Sequence, residues 1–280
     1  MLKATLFELY DLAPCTLWVE DELTRAVLTE LWGDTAIRIY SAAGAGGVEH
    51  LVRAAPKGFA GKNVFGLLDR DFSVAVRPLQ PPSMNTALLY APGHEIENSL
   101  LDFDVLSHLT HNPKRSSAAI EADAKSFATE LTWWMACKHV LYDFRAAMTA
   151  SFPSDPDLPD PVFDRSQAIR HVNASGFRQN HNMACHTWTP GYIEAELDKW
   201  KASYEADIGS GAWLKTFSGK ELFRRVRSTA NLKAEGKTAA EKDADLGVRI
   251  ARQWRKKSKP PPLATELKAI RTDLRDRAGL

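Results

Sequence analysis

The chain has 280 residues, 44% of them hydrophobic and 25% charged, an ordinary globular composition with room for one domain or two closely packed ones. It holds no apolar run of membrane-spanning length, and its start, Met1-Leu2-Lys3-Ala4, lacks the charged-then-apolar pattern of a signal peptide, so a cytoplasmic protein without membrane association is expected. The net charge of +1 hides an asymmetry: residues 213–280 carry 18 Lys+Arg against 8 Asp+Glu, and the rest 18 against 27, which suits either a polyanionic partner beside an acidic site or a solvated helix surface.

In chain order, Thr16-Leu17-Trp18-Val19 is an apolar run ending in Glu20 and predicts a strand. Asp21 to Trp32 follows with helical spacing, Leu23, Val27, Leu28 and Leu31 sharing one face. Its acidic start suits the positive end of a helix, and Gly33-Asp34 ends it. Ile37 to Tyr40 predicts a strand, Val48 to Ala54 a helix and Val64 to Leu68 another strand. This β-α-β-α-β order implies parallel strands joined by crossovers. The Gly44-Ala45-Gly46-Gly47 loop lacks both a following Gly-Lys-Ser/Thr and a third correctly spaced glycine. It therefore predicts a tight strand-to-helix turn.

Val64-Phe65-Gly66-Leu67-Leu68 has no polar residue and reads as a strand buried on both faces. It runs straight into Asp69-Arg70-Asp71-Phe72, with Asp69 expected at the last strand position and Asp71 in the loop. Chemistry gathers beyond the carboxyl ends of such strands. Two carboxylates there need a cation, or one must stay protonated; the alternative is an Asp-x-Asp surface turn. After a Pro-rich stretch with Pro78, Pro81 and Pro82, Ala87 to Tyr90 predicts a strand. Pro92-Gly93-His94 turns, and Glu95 to Leu101 begins a helix. Glu20, Asp69 and the pair Glu95 and Glu97 thus fall at one edge of a parallel sheet.

Residues 118–151 read as helical, with Trp133-Trp134 assigned to packing rather than to a base-stacking platform. Ser154 to Asp164 reads as a linker, and residues 163–189 show no usable period. Pro190 opens a helix ending near Tyr204. Ser218 to Val226 begins another with Lys220 in its first turn, where the dipole disfavours a cation; either an anion lies nearby or the side chain snorkels. Arg255-Lys256-Lys257-Ser258-Lys259 precedes Pro260-Pro261-Pro262 and a charged final helix. Cys15, Cys137 and Cys185 are scattered and odd in number, which predicts a reducing compartment and no disulfides. No trusted metal-ligand spacing involves His171, His181 or His186.

Leu17-Trp18-Val19-Glu20 before a helix, followed by Gly66-Leu67-Leu68-Asp69-Arg70-Asp71, resembles the TOPRIM fold of primases, type II topoisomerases and OLD-family nucleases. His94-Glu95-Ile96-Glu97-Asn98-Ser99-Leu100-Leu101 and Phe217-Ser218-Gly219-Lys220-Glu221 look like the TOPRIM proteins encoded beside ABC-type ATPases in bacterial defence islands, the PARIS anti-phage effectors. The resemblance implies an α/β, Rossmann-like, mainly parallel sheet flanked by helices. It places a TOPRIM catalytic domain at residues 1–115 and a mostly helical, C-terminally basic region at 116–280. It also implies a nuclease in which Glu20, Asp69 and Asp71 hold Mg²⁺ (or Mn²⁺). Glu95 or Glu97 would complete a second metal site, and Lys220 would stabilise charge on the phosphate. Control by an ATPase partner, a homodimeric active form and cleavage of nucleic acid, transfer RNA or else DNA, come with it. The chain departs from the pattern twice: Asp21 stands where many relatives have Gly, and Thr24 where OLD-type proteins have an acid, with Glu22 as the nearest substitute. A haloacid-dehalogenase-type phosphatase using Asp69 and Asp71, and an inactive regulatory subunit, are the competing expectations.

Overall fold

A computed structural model describes residues 2–58, 62–72, 87–110, 114–147, 162–175, 188–232 and 243–280. The Pro78–Pro82 stretch, most of the expected 154–164 linker, Cys185, His181 and His186 lie outside these residues.

Among the described residues, four parallel strands form the central sheet: β1 (Cys15–Val19), β2 (Ile37–Ser41), β3 (Asn63–Leu68) and β4 (Leu88–Tyr90), in the order β2-β1-β3-β4. The α/β class and the parallel sheet expected from the sequence are present. Asp69 lies one residue beyond β3 rather than at its last position, because the ladders end at Leu67 opposite Val19 and at Leu68 opposite Tyr90.

The two central strands, β1 and β3, are covered on both faces, which is why Val64 to Leu68 reads as an unbroken apolar run; on the edge strand β2, Arg38 is exposed. Leu17, Ile39 and Phe65 are register partners in the main core, with Leu23, Val27, Leu28 and Leu31 of α2 (Glu22–Trp32). The opposite face carries Trp18, Val64 and Leu68, packed with Val48 and Val52 of α3 (Ala45–Gly58) and Tyr10 of α1 (Leu2–Asp11), a helix the sequence reading did not anticipate. At Gly66, an added Cβ would lie 2.5 Å from Val48 and 2.9 Å from Val52. Glycine is what lets α3 press onto the sheet there.

Beyond β4 come two short helices, α4 (Ile96–Leu100) and α5 (Phe103–Leu109). The helical stretch predicted at 118–151 is two helices, α6 (Ser117–Glu130) and α7 (Thr132–Ala147), which meet at Leu131. The unassigned 163–189 region contains α8 (Arg165–Ala174), capped by Asp164, which accepts the Gln167 N–H. Then follow α9 (Pro190–Ser210), α10 (Trp213–Thr216), α11 (Gly219–Thr229), α12 (Asp243–Lys256) and α13 (Pro262–Ala278). α7, α8 and α9 enclose a satellite core around Phe144, Val172, Trp188 and Leu197, against which Trp133 and Trp134 pack.

α12 and α13 close the α2 side of the sheet, contributing Ile250, Trp254, Leu267 and Leu274 to the main core. Their basic residues bind acids of the body. Arg252 and Arg255 pair with Glu30, Lys257 with Asp102, and Arg271 and Arg275 with Asp34. Part of the charge asymmetry seen in the sequence is therefore taken up in ion pairs between the basic C-terminal quarter and acids of the body. Among the described residues, no helix is long and apolar enough to cross a membrane.

Candidate active site at the carboxyl edge of the sheet

From β1 the chain moves to β2 on one side and then to β3 on the other. The crevice between the carboxyl ends of β1 and β3 is thus the point where connections diverge, where open α/β sheets place ligands. Glu20 follows β1 and Asp69 follows β3. Glu20 Oε1 accepts the Asp69 backbone N–H at 2.8 Å, and the N–H of Ala45, at the start of α3, donates to the same carboxylate. The predicted tight turn exists: Gly44 N–H donates to the Glu20 carbonyl, and the Gly44 carbonyl accepts from Gly47 and Val48. It delivers the start of α3 to Glu20.

The loops after β3 and β4 are fastened together. The His94 carbonyl accepts the N–H groups of both Arg70 and Asp71, at 2.9 and 3.1 Å, and the His94 N–H donates to the Lys215 carbonyl. Asp71 takes a left-handed backbone, φ +43°, so the chain leaves the extended geometry in which residues two apart line one face. Among the described residues, one set of three acidic or histidine ligand atoms falls within 4.8 Å of one another: Asp71, His94 and Glu95. The expected trio of Glu20, Asp69 and Asp71 does not close to that spacing. Glu20 meets Asp69 through the latter's backbone, and Asp71 faces the β4 loop.

Lys220 arrives from 125 residues beyond Glu95. Ser218 caps α11 by accepting the Glu221 N–H. The Glu95 carboxylate receives the Lys220 N–H at 2.7 Å and the Ser218 hydroxyl at 3.1 Å. Lys220 Nζ stands 3.5 Å from Asp69 and 3.8 Å from Glu95, its side chain 53% exposed while both carboxylates are 6% exposed. The anion that a lysine in a first helical turn requires is therefore supplied by the protein itself. Asn98 holds the junction, accepting the Glu95 N–H at 2.7 Å and donating to the Phe217 carbonyl at 2.8 Å. A Cβ at Gly219 would sit 2.5 Å from the Asn98 nitrogen, so α11 approaches α4 this closely only with glycine there.

Burial pushes the Glu20 carboxyl above its usual range, against the pull of the Asp69 N–H and Lys220. Burial also raises Asp69 well above normal; Lys220 opposes this, while Glu20, Glu95 and Glu97 reinforce it. Glu97 is pushed up to about 8 by burial and by Glu95, and its Oε2 has no hydrogen-bond partner among the described residues. The Glu95 carboxyl is held below its usual range: burial opposes ionisation, and the charge and backbone N–H of Lys220 favour it. Lys220 is driven upward: burial opposes its charge, and Glu95, Asp69 and Glu97 outweigh that. The site thus concentrates more carboxylates than its one lysine balances, a state relieved by protons or by a cation.

A shallow depression beside Glu20, Ser41, Gly44 and Lys220 opens this edge to solvent. A larger hollow of about 740 Å³ runs along β2 by Trp18, Trp32 and Arg38 and contains none of the site's carboxylates. Asp21 caps α2 by accepting the Thr24 N–H, and Glu22 is exposed and paired with Arg25; neither supplies the missing second acid. The oxygen donors, the excess negative charge and the unpartnered Glu97 oxygen fit a hard divalent cation. Sequence reasoning placed His94 only in a turn; its signal was adjacency to Glu95. No family model, curated protein or solved structure matches the chain.

Proposed function

We propose that the chain is a metal-dependent, TOPRIM-type nuclease whose centre is the carboxyl edge of β1 and β3. The observation that carries this reading is the convergence of Glu20, Asp69, Glu95 and Lys220 on one buried locus from four separate segments. Glu20 and Asp69, with Glu95 or Glu97, would hold Mg²⁺ or Mn²⁺, and Asp71, turned toward the β4 loop, would bind a second cation with Glu95. Such a cation neutralises charge on phosphate oxygens and lowers the pKa of a bound water. Lys220, at the solvent rim, is placed to meet a phosphate oxygen while Asp69 and Glu95 keep it protonated. Positive charge aimed at an oxyanion in a partly desolvated site stabilises the transition state. Glu20, whose proton affinity burial raises, is the candidate to take or return a proton.

The position of Asp69 after the third strand, in hydrogen-bond contact with Glu20, favours this reading over a phosphatase that uses Asp69 as nucleophile. The resemblance to PARIS effectors supplies the finer parts of the proposal: RNA, transfer RNA in particular, as substrate, with DNA as the alternative; an ATPase partner holding the chain inactive; and a homodimeric active form.

The test is incubation of the purified chain with total RNA and with plasmid DNA, in Mg²⁺, in Mn²⁺ and in chelator. Metal-dependent cleavage of one substrate is expected. Glu20→Gln and Asp69→Asn should each lower it by about 100-fold or more with an unchanged circular dichroism spectrum. Full activity in both variants ends the proposal.

A further inference from the structure

His94 is the most enclosed ionisable side chain at this edge, 1% exposed. Neither ring nitrogen has a hydrogen-bond partner among the described residues. Its Nδ1 points toward Glu95 at 4.0 Å, too far for a hydrogen bond, and a ring nitrogen lies within 4.8 Å of both the Asp71 and Glu95 carboxylate oxygens. The edge of the Phe72 ring closes one flank, centroid to centroid 4.8 Å. The main chain is fixed on both sides, through its carbonyl to Arg70 and Asp71 and through its N–H to Lys215, so the Cα that carries the ring is held in place. A buried imidazole with two idle nitrogens is costly unless something binds it. A dication bonded to one ring nitrogen would meet the Asp71 and Glu95 carboxylate oxygens at that spacing.

We infer that Asp71, His94 and Glu95 form a mixed nitrogen–oxygen site that takes a first-row transition dication in preference to Mg²⁺. Imidazole is a poor ligand for Mg²⁺, which prefers oxygen and water, and a good one for the softer dications. His94 enters as a neutral donor through one ring nitrogen, and the carboxylates neutralise the ion. This inference rests on the metal-bound reading of the site given above but not on nucleic acid being the substrate. Its consequence is selectivity: the oxygen-only set at Glu20 and Asp69 accepts Mg²⁺, whereas the His94 set does not.

Mn²⁺ is the probe, because its electron spin reports directly bonded nitrogen. The full-length chain loaded with one equivalent of Mn²⁺ is examined by electron spin echo modulation. Nitrogen modulation is expected, altered when the protein carries ¹⁵N-histidine and abolished in His94→Gln. Calorimetry should show His94→Gln weakening Mn²⁺ at least about tenfold while Mg²⁺ changes by less than about threefold. Asp71→Asn, at the half-buried ligand, should weaken Mn²⁺ as well and keep the nitrogen signal, so the test survives if His94→Gln does not fold. Absence of nitrogen modulation in the wild type, its persistence in His94→Gln, or equal loss of both metals overturns the inference. A chain that shows the nitrogen signal yet cleaves no nucleic acid refutes the nuclease reading alone. A chain that cleaves with Mg²⁺ but lacks the signal refutes this inference alone.

Discussion

Lys220 shows at the scale of one residue how a local rule is overridden. A cation in the first turn of a helix is unfavourable by itself, yet Lys220 lies between two carboxylates that are each 6% exposed. Removing it leaves those acids buried without their cation, a larger penalty than the value of the pair. Lys220→Met should therefore lose about 1–3 kcal/mol at pH 7, read as a lower denaturation midpoint. The deficit should shrink near pH 5, where protons take the place of the ammonium; Lys220→Arg should recover most of it. A deficit independent of pH would mean that the carboxylates do not depend on Lys220. In the same way, Asp21 reads as a departure from a metal motif in sequence but is a helix cap in space.

Among the elements, the contact between α3 and the sheet sets the geometry of the site, because the start of α3 donates to Glu20. That contact depends on Gly66, over which Val48 and Val52 close. Gly66→Ala should cost about 1–3 kcal/mol by overpacking and, by lifting α3 from Glu20, lower cleavage more than the stability loss alone explains. Unchanged thermal stability in Gly66→Ala would show that α3 does not bear on β3. The helix faces of α2 were legible in the sequence because Leu23, Val27, Leu28 and Leu31 recur at helical spacing and all are buried. α8 was not, because only Ala168 and Val172 of its residues are buried, too few to mark a period.

α12 and α13 close over α2 through the apolar residues they add to the main core, and at the rim Glu30, Asp34 and Asp102 receive cations of these helices and of Lys257. Behind the site, α7 and α9 bury His139, 1% exposed, stacked on Trp200 and with Nδ1 2.9 Å from the Tyr204 hydroxyl. Burial lowers its pKa to about 3, with His94 and Lys199 adding to the effect. The unfolded chain protonates this histidine near pH 6.5 and the folded chain only near 3. Stability from this group is thus complete above 6.5 and is lost as the pH falls through that window. The slope of unfolding free energy should steepen by as much as about 1.4 kcal/mol per pH unit between those values. His139→Gln should remove that component; an unchanged acid limb in denaturant titrations would place the proton elsewhere.

The sequence by itself determined the strands, their parallel sense and the set of acids at their carboxyl ends. The clearest case is Val64 to Leu68, a run with no polar residue that is buried throughout and is followed directly by a carboxylate. The sequence also singled out Lys220, through a conflict with the helix dipole that no neighbouring residue resolves. Only the tertiary structure decided the strand order that puts Glu20 against Asp69, the separation of Asp71 toward His94 and Glu95, and the capture of Lys220 by Asp69 and Glu95. Glu20 and Asp69 are 49 positions apart, and Glu95 and Lys220 are 125 apart. Each contact is fixed by packing and by backbone hydrogen bonds between loops, which have no periodicity for a sequence to display.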